Sequence, residues 1–205
     1  SVWSRSDDVL LSQALLLVVT DSVHRVDELA EYWQRCKAQT GFFSQLSGPI
    51  LNTIGVLGMV NGIEPETIIE RATEIRGHFR EHGLLGYFDT LYAVGTSAYL
   101  ALREHCTAEH VQRMKIVIDG WKKDHPWVTG SNDLFLSALH AEVGLDLQFQ
   151  ISHTEHCFQA LRRSGHSGWA DELQAAAQVV ALWDGLDLAR LEQRYRLLSA
   201  ELSTH

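Results

Sequence analysis

The sequence predicts an all-α fold: about ten helices in five antiparallel pairs, forming an α/α-repeat array that is solenoid-like or ring-like. Three observations predict it. Five stretches carry no charged side chain and are rich in leucine, alanine and glycine; amphipathic stretches alternate with them; and aromatic residues recur at the intervening turns about every forty residues, the kind of period that marks helical repeats.

The charge-free stretches are Val9–Val19, Ser47–Val60, Thr90–Leu102, Leu134–Ala141 and Leu173–Trp183. A helix covered on all sides must be apolar all round, so these form the predicted inner layer. Their partners need only one apolar stripe. Val26, Leu29, Trp33 and Cys36 fall three or four residues apart, as do Val111, Met114, Ile118 and Trp121, and then Leu188, Leu191, Tyr195, Leu198 and Leu202. Each set places one face of an outer helix toward the core.

Start and stop signals agree with this division. Pro65 after Glu64 suits a first helical position, and Thr107 can accept the free amide protons of a helix beginning near Ala108. Gly41, Gly83 and Gly165 stand where a left-handed stop residue belongs. Gly55, Gly58, Gly95, Ser97 and Ala98, then Ala175, Ala176 and Ala177, would let inner helices approach closely. A helical glycine costs about 1 kcal/mol against alanine, which close packing must offset. The turn aromatics are Trp3, Phe42 with Phe43, Tyr87 with Phe88, Trp127 and Trp169. Gly86, Tyr87, Leu91, Ala93 and Leu100 recur at a constant shift of 82 as Gly168, Trp169, Leu173, Ala175 and Leu182.

Composition bounds the function classes. At 205 residues with 45% hydrophobic side chains and 3 prolines, the chain predicts one domain over 1–205, neither disordered nor fibrous. Its 17 lysines and arginines against 26 acidic residues give a net charge of -9, with no basic run, which argues against nucleic acid as a partner. The charge-free stretches fall short of the about 20 residues that cross a bilayer, so no membrane partner is expected. Three distant cysteines, Cys36, Cys106 and Cys157, fit a reducing, cytoplasmic setting. The chain opens at Ser1 with no signal pattern, which fits the C-terminal part of a longer protein.

Candidate sites are weighed against plainer explanations. His153, His156 and Cys157 have helical metal-ligand spacing. With Ile151, Thr154, Phe158 and Leu161 as the inward stripe, however, His156 points away and His153 lies on the flank, so a solvated face outweighs a metal. Glu104, His105, Cys106, Glu109 and His110 straddle a predicted helix break and read as surface. His78 and His82 suit a helix C-terminus, and Asp7 and Asp8 a helix N-terminus. His140 differs because it sits in an otherwise apolar inner helix; a buried imidazole needs a partner, structural by preference or a cavity ligand. The loop His125-Pro126-Trp127-Val128-Thr129-Gly130-Ser131-Asn132-Asp133 is the richest polar stretch, although Ser131, Asn132 and Asp133 are also capping types. No G-x-S-x-G, phosphate loop or H-E-x-x-H occurs, and no cofactor is expected.

The His-Pro-x-x-Thr-Gly-x-x-Asp loop, the Gln159-Ala160-Leu161 helix ending at Gly165, Gly168 and the Glu172-Leu173-Gln174 helix resemble a bacterial family of unknown function, number four thousand and three. The Asp7-Asp8-x-Leu10-Leu11 opening and the Thr40-Gly41-Phe42-Phe43-Ser44 turn resemble that family's earlier repeat. The resemblance covers most of the chain. It implies an all-helical cytoplasmic protein and supplies no activity or site residue.

The functional expectation is a binding module without catalysis. Its partner is a protein or a small molecule, with a homo-oligomer left open, and its contact surface carries Phe43, Tyr87, His125, Trp127, Thr129, Asp133, His140 and Trp169. The alternative is an enzyme or metal-binding protein using a cavity between inner helices, with His140, His125 and Asp133 as its residues.

Overall fold

Helix formation follows the apolar periodicity throughout the part of the chain that the computed structural model describes: residues 17–18, 20–39, 41, 48–85, 90–103, 107–126, 133–164, 170–182, 189, 193, 196 and 197. Among these residues are eight multi-turn α-helices, a 3-10 turn at Val23–Arg25, and no strand. The helices are α1 (Val26–Ala38), α2 (Gly48–Val60), α3 (Pro65–Glu81), α4 (Thr90–Ala101), α5 (Ala108–Asp124), α6 (Asp133–Glu142), α7 (Leu147–Arg163) and α8 (Ala170–Ala181). Of the first charge-free stretch, only Leu17 and Val18 are described, and both are helical. The last amphipathic stripe lies almost wholly outside the described residues. The chain divides into two compact units, Ser1–Ala108 and Glu109–His205.

In the first unit, Pro65 opens α3 at a position whose missing N–H costs nothing, and Glu64 before it is extended. The chain leaves α2 through Gly62, whose φ of 66° is left-handed. There Ile63 N–H donates to the Gly58 carbonyl at 2.9 Å and Gly62 N–H to the Met59 carbonyl at 3.0 Å, closing the helix end. Along α1, Leu29, Tyr32, Trp33 and Cys36 are buried. Val26, expected on the same stripe, is exposed at the first position of the helix.

The helices α1 and α2 approach closely through glycine. A Cβ on Gly55 would lie 2.7 Å from the Trp33 ring, and one on Gly58 would overlap the Tyr32 hydroxyl and come 2.9 Å from Ile68 Cδ1. The Tyr32 hydroxyl donates to the Ile63 carbonyl at 2.7 Å, tying α1 to the turn after α2. Arg71 of α3 donates to the carbonyl of Ala101 at the end of α4. Along α4, residues 93–98 are buried on every side, as a charge-free helix requires. Tyr92 beside them is exposed, as are Phe135 on α6 and Val179 on α8, so these helices are not walled in over their whole length.

Some helix bounds in the second unit fall 82 residues after bounds in the first. Pro65–Glu81 and Leu147–Arg163 lie 82 residues apart at both ends, and the starts Val26 and Ala108 are also 82 apart. Gly62 and Gly144 keep the same spacing and both have positive φ. After Gly144, Asp146 caps α7 by accepting from the Phe149 N–H at 2.8 Å. Cys157, Phe158 and Leu161 of α7 and Leu173, Ala177 and Ala181 of α8 form one apolar cluster. Val111, Met114, Ile118 and Trp121 are all buried along α5. Arg113 of α5 donates to the carbonyls of Ala141, in the last turn of α6, and of Leu145 beyond it.

Candidate functional site

The site lies in the second unit, where α5 ends. His125 follows the last residue of α5, and its N–H still donates to the Trp121 carbonyl at 2.8 Å, which fixes the backbone before Pro126. Its ring packs on Phe158 with centroids 4.3 Å apart. Nε2 of His125 and Oε2 of Glu155 are 2.5 Å apart, and the other Glu155 oxygen accepts from the Gln159 amide at 2.7 Å. Both side chains are half-buried. The pair borders a recess also lined by Trp121, Asp124, Thr154 and Gln174, with a cavity of about 10 Å³, the room of one water molecule.

Behind Trp121 lies a buried polar layer. Its ring meets the His140 ring edge-on, with centroids 5.1 Å apart and planes at 85°. His140 is fully buried, and its Nε2–H donates to the Gln178 carbonyl of α8 at 2.9 Å. That bond fixes the tautomer, leaving a lone pair on Nδ1. Burial holds the ring below its ordinary pKa; the Gln178 carbonyl and the Gln150 side chain oppose this, and His153 adds to it. The ring is therefore neutral near pH 7. Gln150 is a hydrogen-bonding neighbour of the ring, although its Oε1 and the ring Nδ1 make no well-formed bond. His140 Nδ1, Gln150 Oε1, both Gln178 amide atoms and Trp121 Nε1 are all buried without a partner.

Of the expected binding residues, the structure brings His125 and His140 to this region, linked through Trp121. Asp133 is buried as the first residue of α6. Phe43, Tyr87, Trp127, Thr129 and Trp169 lie outside the described residues. On α7, His153 Nε2 is 4.0 Å from Cys157 Sγ and its ring stacks on Phe149, while His156 faces solvent. Among the described residues no three His, Cys, Asp or Glu side chains converge on a metal position. His78 pairs with Glu81 at 3.0 Å near the end of α3. His110 reaches the Ala138 carbonyl from the first turn of α5, with burial lowering its pKa and Glu142 opposing that. Glu104, His105 and Cys106 lie outside the described residues.

Sequence reasoning passed over Glu155, Gln150, Gln174 and Gln178. The available signal was polar rather than charged: Gln150 and Thr154, then Gln174 and Gln178, stand four apart on faces that otherwise turn inward. In the first unit an open cleft of about 380 Å³ lies between α1 and the turn after α2. Its arginines are engaged within the chain, Arg35 with Glu64 and Glu66, and Arg25 with Glu28 and the Met59 carbonyl.

A family model matches residues 1–204. The chain belongs to DUF4003, a family of proteins of unknown function. Neither a curated protein nor a solved structure matches this DUF4003 chain. For a DUF4003 member the family resemblance read from the His125–Trp183 stretch is thus established, and the helical structure agrees with it.

Proposed function

We propose that this DUF4003 chain is a binding module for a small polar molecule, that it works without catalysis, and that its site is the His125 recess of the second unit. One observation carries the reading. An imidazole–carboxylate pair, held in place by Gln159 and Phe158, stands at the mouth of a recess whose inner wall, Trp121, leads to buried hydrogen-bonding atoms that the chain leaves unserved. Buried polar groups are ordinarily paired, so a ligand that completed them would bind with little rearrangement. The recurrence of helix bounds at 82 residues supports the accompanying reading of the chain as an α/α-repeat array, the module being one of its two units.

The test is thermal unfolding in the presence of four panels: neutral alcohols, amides, primary amines and carboxylates. A ligand that binds only the folded state raises Tm with its concentration. At least one panel is expected to do so, and the rise should vanish in the double variant His125→Gln, Glu155→Gln. No rise with any panel, or a rise undiminished in that variant, overturns the proposal.

A further inference from the structure

Each unit has a left-handed glycine two residues after a helix, Gly62 after α2 and Gly144 after α6. In both, side chains hold the carbonyl three residues before that glycine and the carbonyl one residue after it. The second unit does this with a single group: Arg113 donates through Nε to the Ala141 carbonyl and through Nη2 to the Leu145 carbonyl, each at 3.3 Å. The first unit divides the task. Arg25 takes the Met59 carbonyl at 3.3 Å, and the Tyr32 hydroxyl takes the Ile63 carbonyl at 2.7 Å. All four of these residues line the open cleft of about 380 Å³ beside α1.

The residue of α1 that stands in the place of Arg113 follows from the buried stripes. Leu29, Tyr32 and Cys36 are buried along α1 at the spacing of Val111, Met114 and Ile118 along α5. The residue two positions after the first of each stripe is Arg113 in α5 and Glu31 in α1. Glu31 lines the cleft, and among the described residues it makes no ion pair or hydrogen bond. Where one unit places a cation of its own over the two carbonyls, the other has a carboxylate and open space.

The electrostatics of the cleft favour a cation from outside. Arg25 is paired with Glu28, and Arg35 with Glu64 and Glu66, so Glu31 is the carboxylate left over. The Met59 carbonyl belongs to the last turn of α2, where partial negative charge gathers, and a carbonyl that already accepts one hydrogen bond keeps a second lone pair. The volume falls within the about 300–1,000 Å³ usual for small-molecule sites. Planar geometry narrows the choice of cation. Two carbonyls four residues apart are spanned in the second unit by two nitrogens of one guanidinium, a rigid fork that a compact ammonium does not supply.

We propose that the first-unit cleft binds a guanidinium group, carried by an arginine side chain or by a small guanidino compound, between Glu31 and the carbonyls of Met59 and Ile63. The site lies wholly within the first unit and does not depend on the His125 recess.

The test follows the backbone amides of Gly62 and Ile63 in the 15N-labelled full chain at low ionic strength. The chain is titrated with N-acetyl-arginine methylamide and with free arginine. The controls are the matching citrulline compounds, in which a neutral urea replaces the guanidinium, and the matching lysine compounds. Saturable shifts that are largest for arginine are expected. Binding should weaken about fivefold in Glu31→Gln, the scale of one partly exposed ion pair, and should disappear in Glu31→Arg, which installs the second unit's residue. Glu31 is exposed, so both variants should keep their helices, as circular dichroism would show; Glu31→Gln carries the test if Glu31→Arg does not fold. Tighter binding of the blocked compound assigns the cleft to an arginine of a protein partner, and tighter binding of free arginine to a small guanidino compound. No saturable shift with either arginine compound, an equal response to citrulline or lysine, or undiminished binding in Glu31→Gln overturns the inference.

Discussion

Replacing Gly58 with alanine probes the closest helix approach in the first unit. The added methyl would overlap the Tyr32 hydroxyl and lie 2.9 Å from Ile68 Cδ1 and 3.1 Å from Tyr32 Cζ. Tyr32 cannot simply swing aside, because its ring is buried and its hydroxyl holds the Ile63 carbonyl. Overpacking of this kind costs about 1–3 kcal/mol, and loss of the hydrogen bond about 1 kcal/mol. Alanine's better helix propensity returns about 1 kcal/mol. The net expectation is a destabilisation of about 2 kcal/mol, on the scale of other overpacked cores. Gly77→Ala is the internal control. It lies in α3 with nothing within 4 Å of a built Cβ, so only propensity acts, and a gain of about 1 kcal/mol is expected. Urea denaturation reads both: the midpoint should fall for Gly58→Ala and rise for Gly77→Ala, with slopes unchanged. A Gly58→Ala protein as stable as the parent would refute the close approach of α2 to Tyr32.

Two further outcomes follow from buried titratable groups. Burial pushes the Cys36 thiol up to about 12, with Glu66 adding to the rise and Arg35 opposing it, and pushes the Cys157 thiol up to about 11. Iodoacetamide at about pH 8 should therefore leave both unmodified in native protein and label them only after unfolding, as peptide mass spectrometry would show; native labelling at the rate of a free thiol contradicts their burial. For His140, burial sets the folded pKa below the unfolded value of 6.5, so the unfolded chain binds protons more readily. The stability that the neutral ring allows is complete above the unfolded value and is lost as pH falls from there toward the folded one. The urea midpoint should drop between about pH 7.5 and about pH 5, and drop less in His140→Gln; an equal drop in both removes His140 as the cause, leaving His110, which shifts in the same direction.

Much of the helical layout was legible because it depends on local pattern. Ser47–Val60 and Thr90–Leu102 became α2 and α4 within a residue at each end, and Pro65 marked the start of α3. Gly41 and Gly83 do adopt positive φ, since a stop residue's conformation is set by its own missing side chain. His140 found its structural partner, the Gln178 carbonyl, as a buried imidazole must. What stayed hidden was pairing at a distance. Nothing local to His125 announces Glu155, which is thirty residues on and meets it only after α5 and α7 pack. Gln174 and Gln178 were masked by the criterion that marked their stretch: lack of charge made Leu173–Trp183 read as apolar, although buried amides also require partners.

Arg25, Arg71 and Arg113 turn guanidinium groups onto main-chain carbonyls, two of them where α4 and α6 finish. Arginine keeps its proton under all ordinary conditions, so these ties do not titrate, and they neutralise the partial negative charge that gathers at a helix's last turn. The chain as a whole still carries a net charge of -9. Mobile cations will collect around the molecule, and its copies will hold one another apart most strongly at low ionic strength.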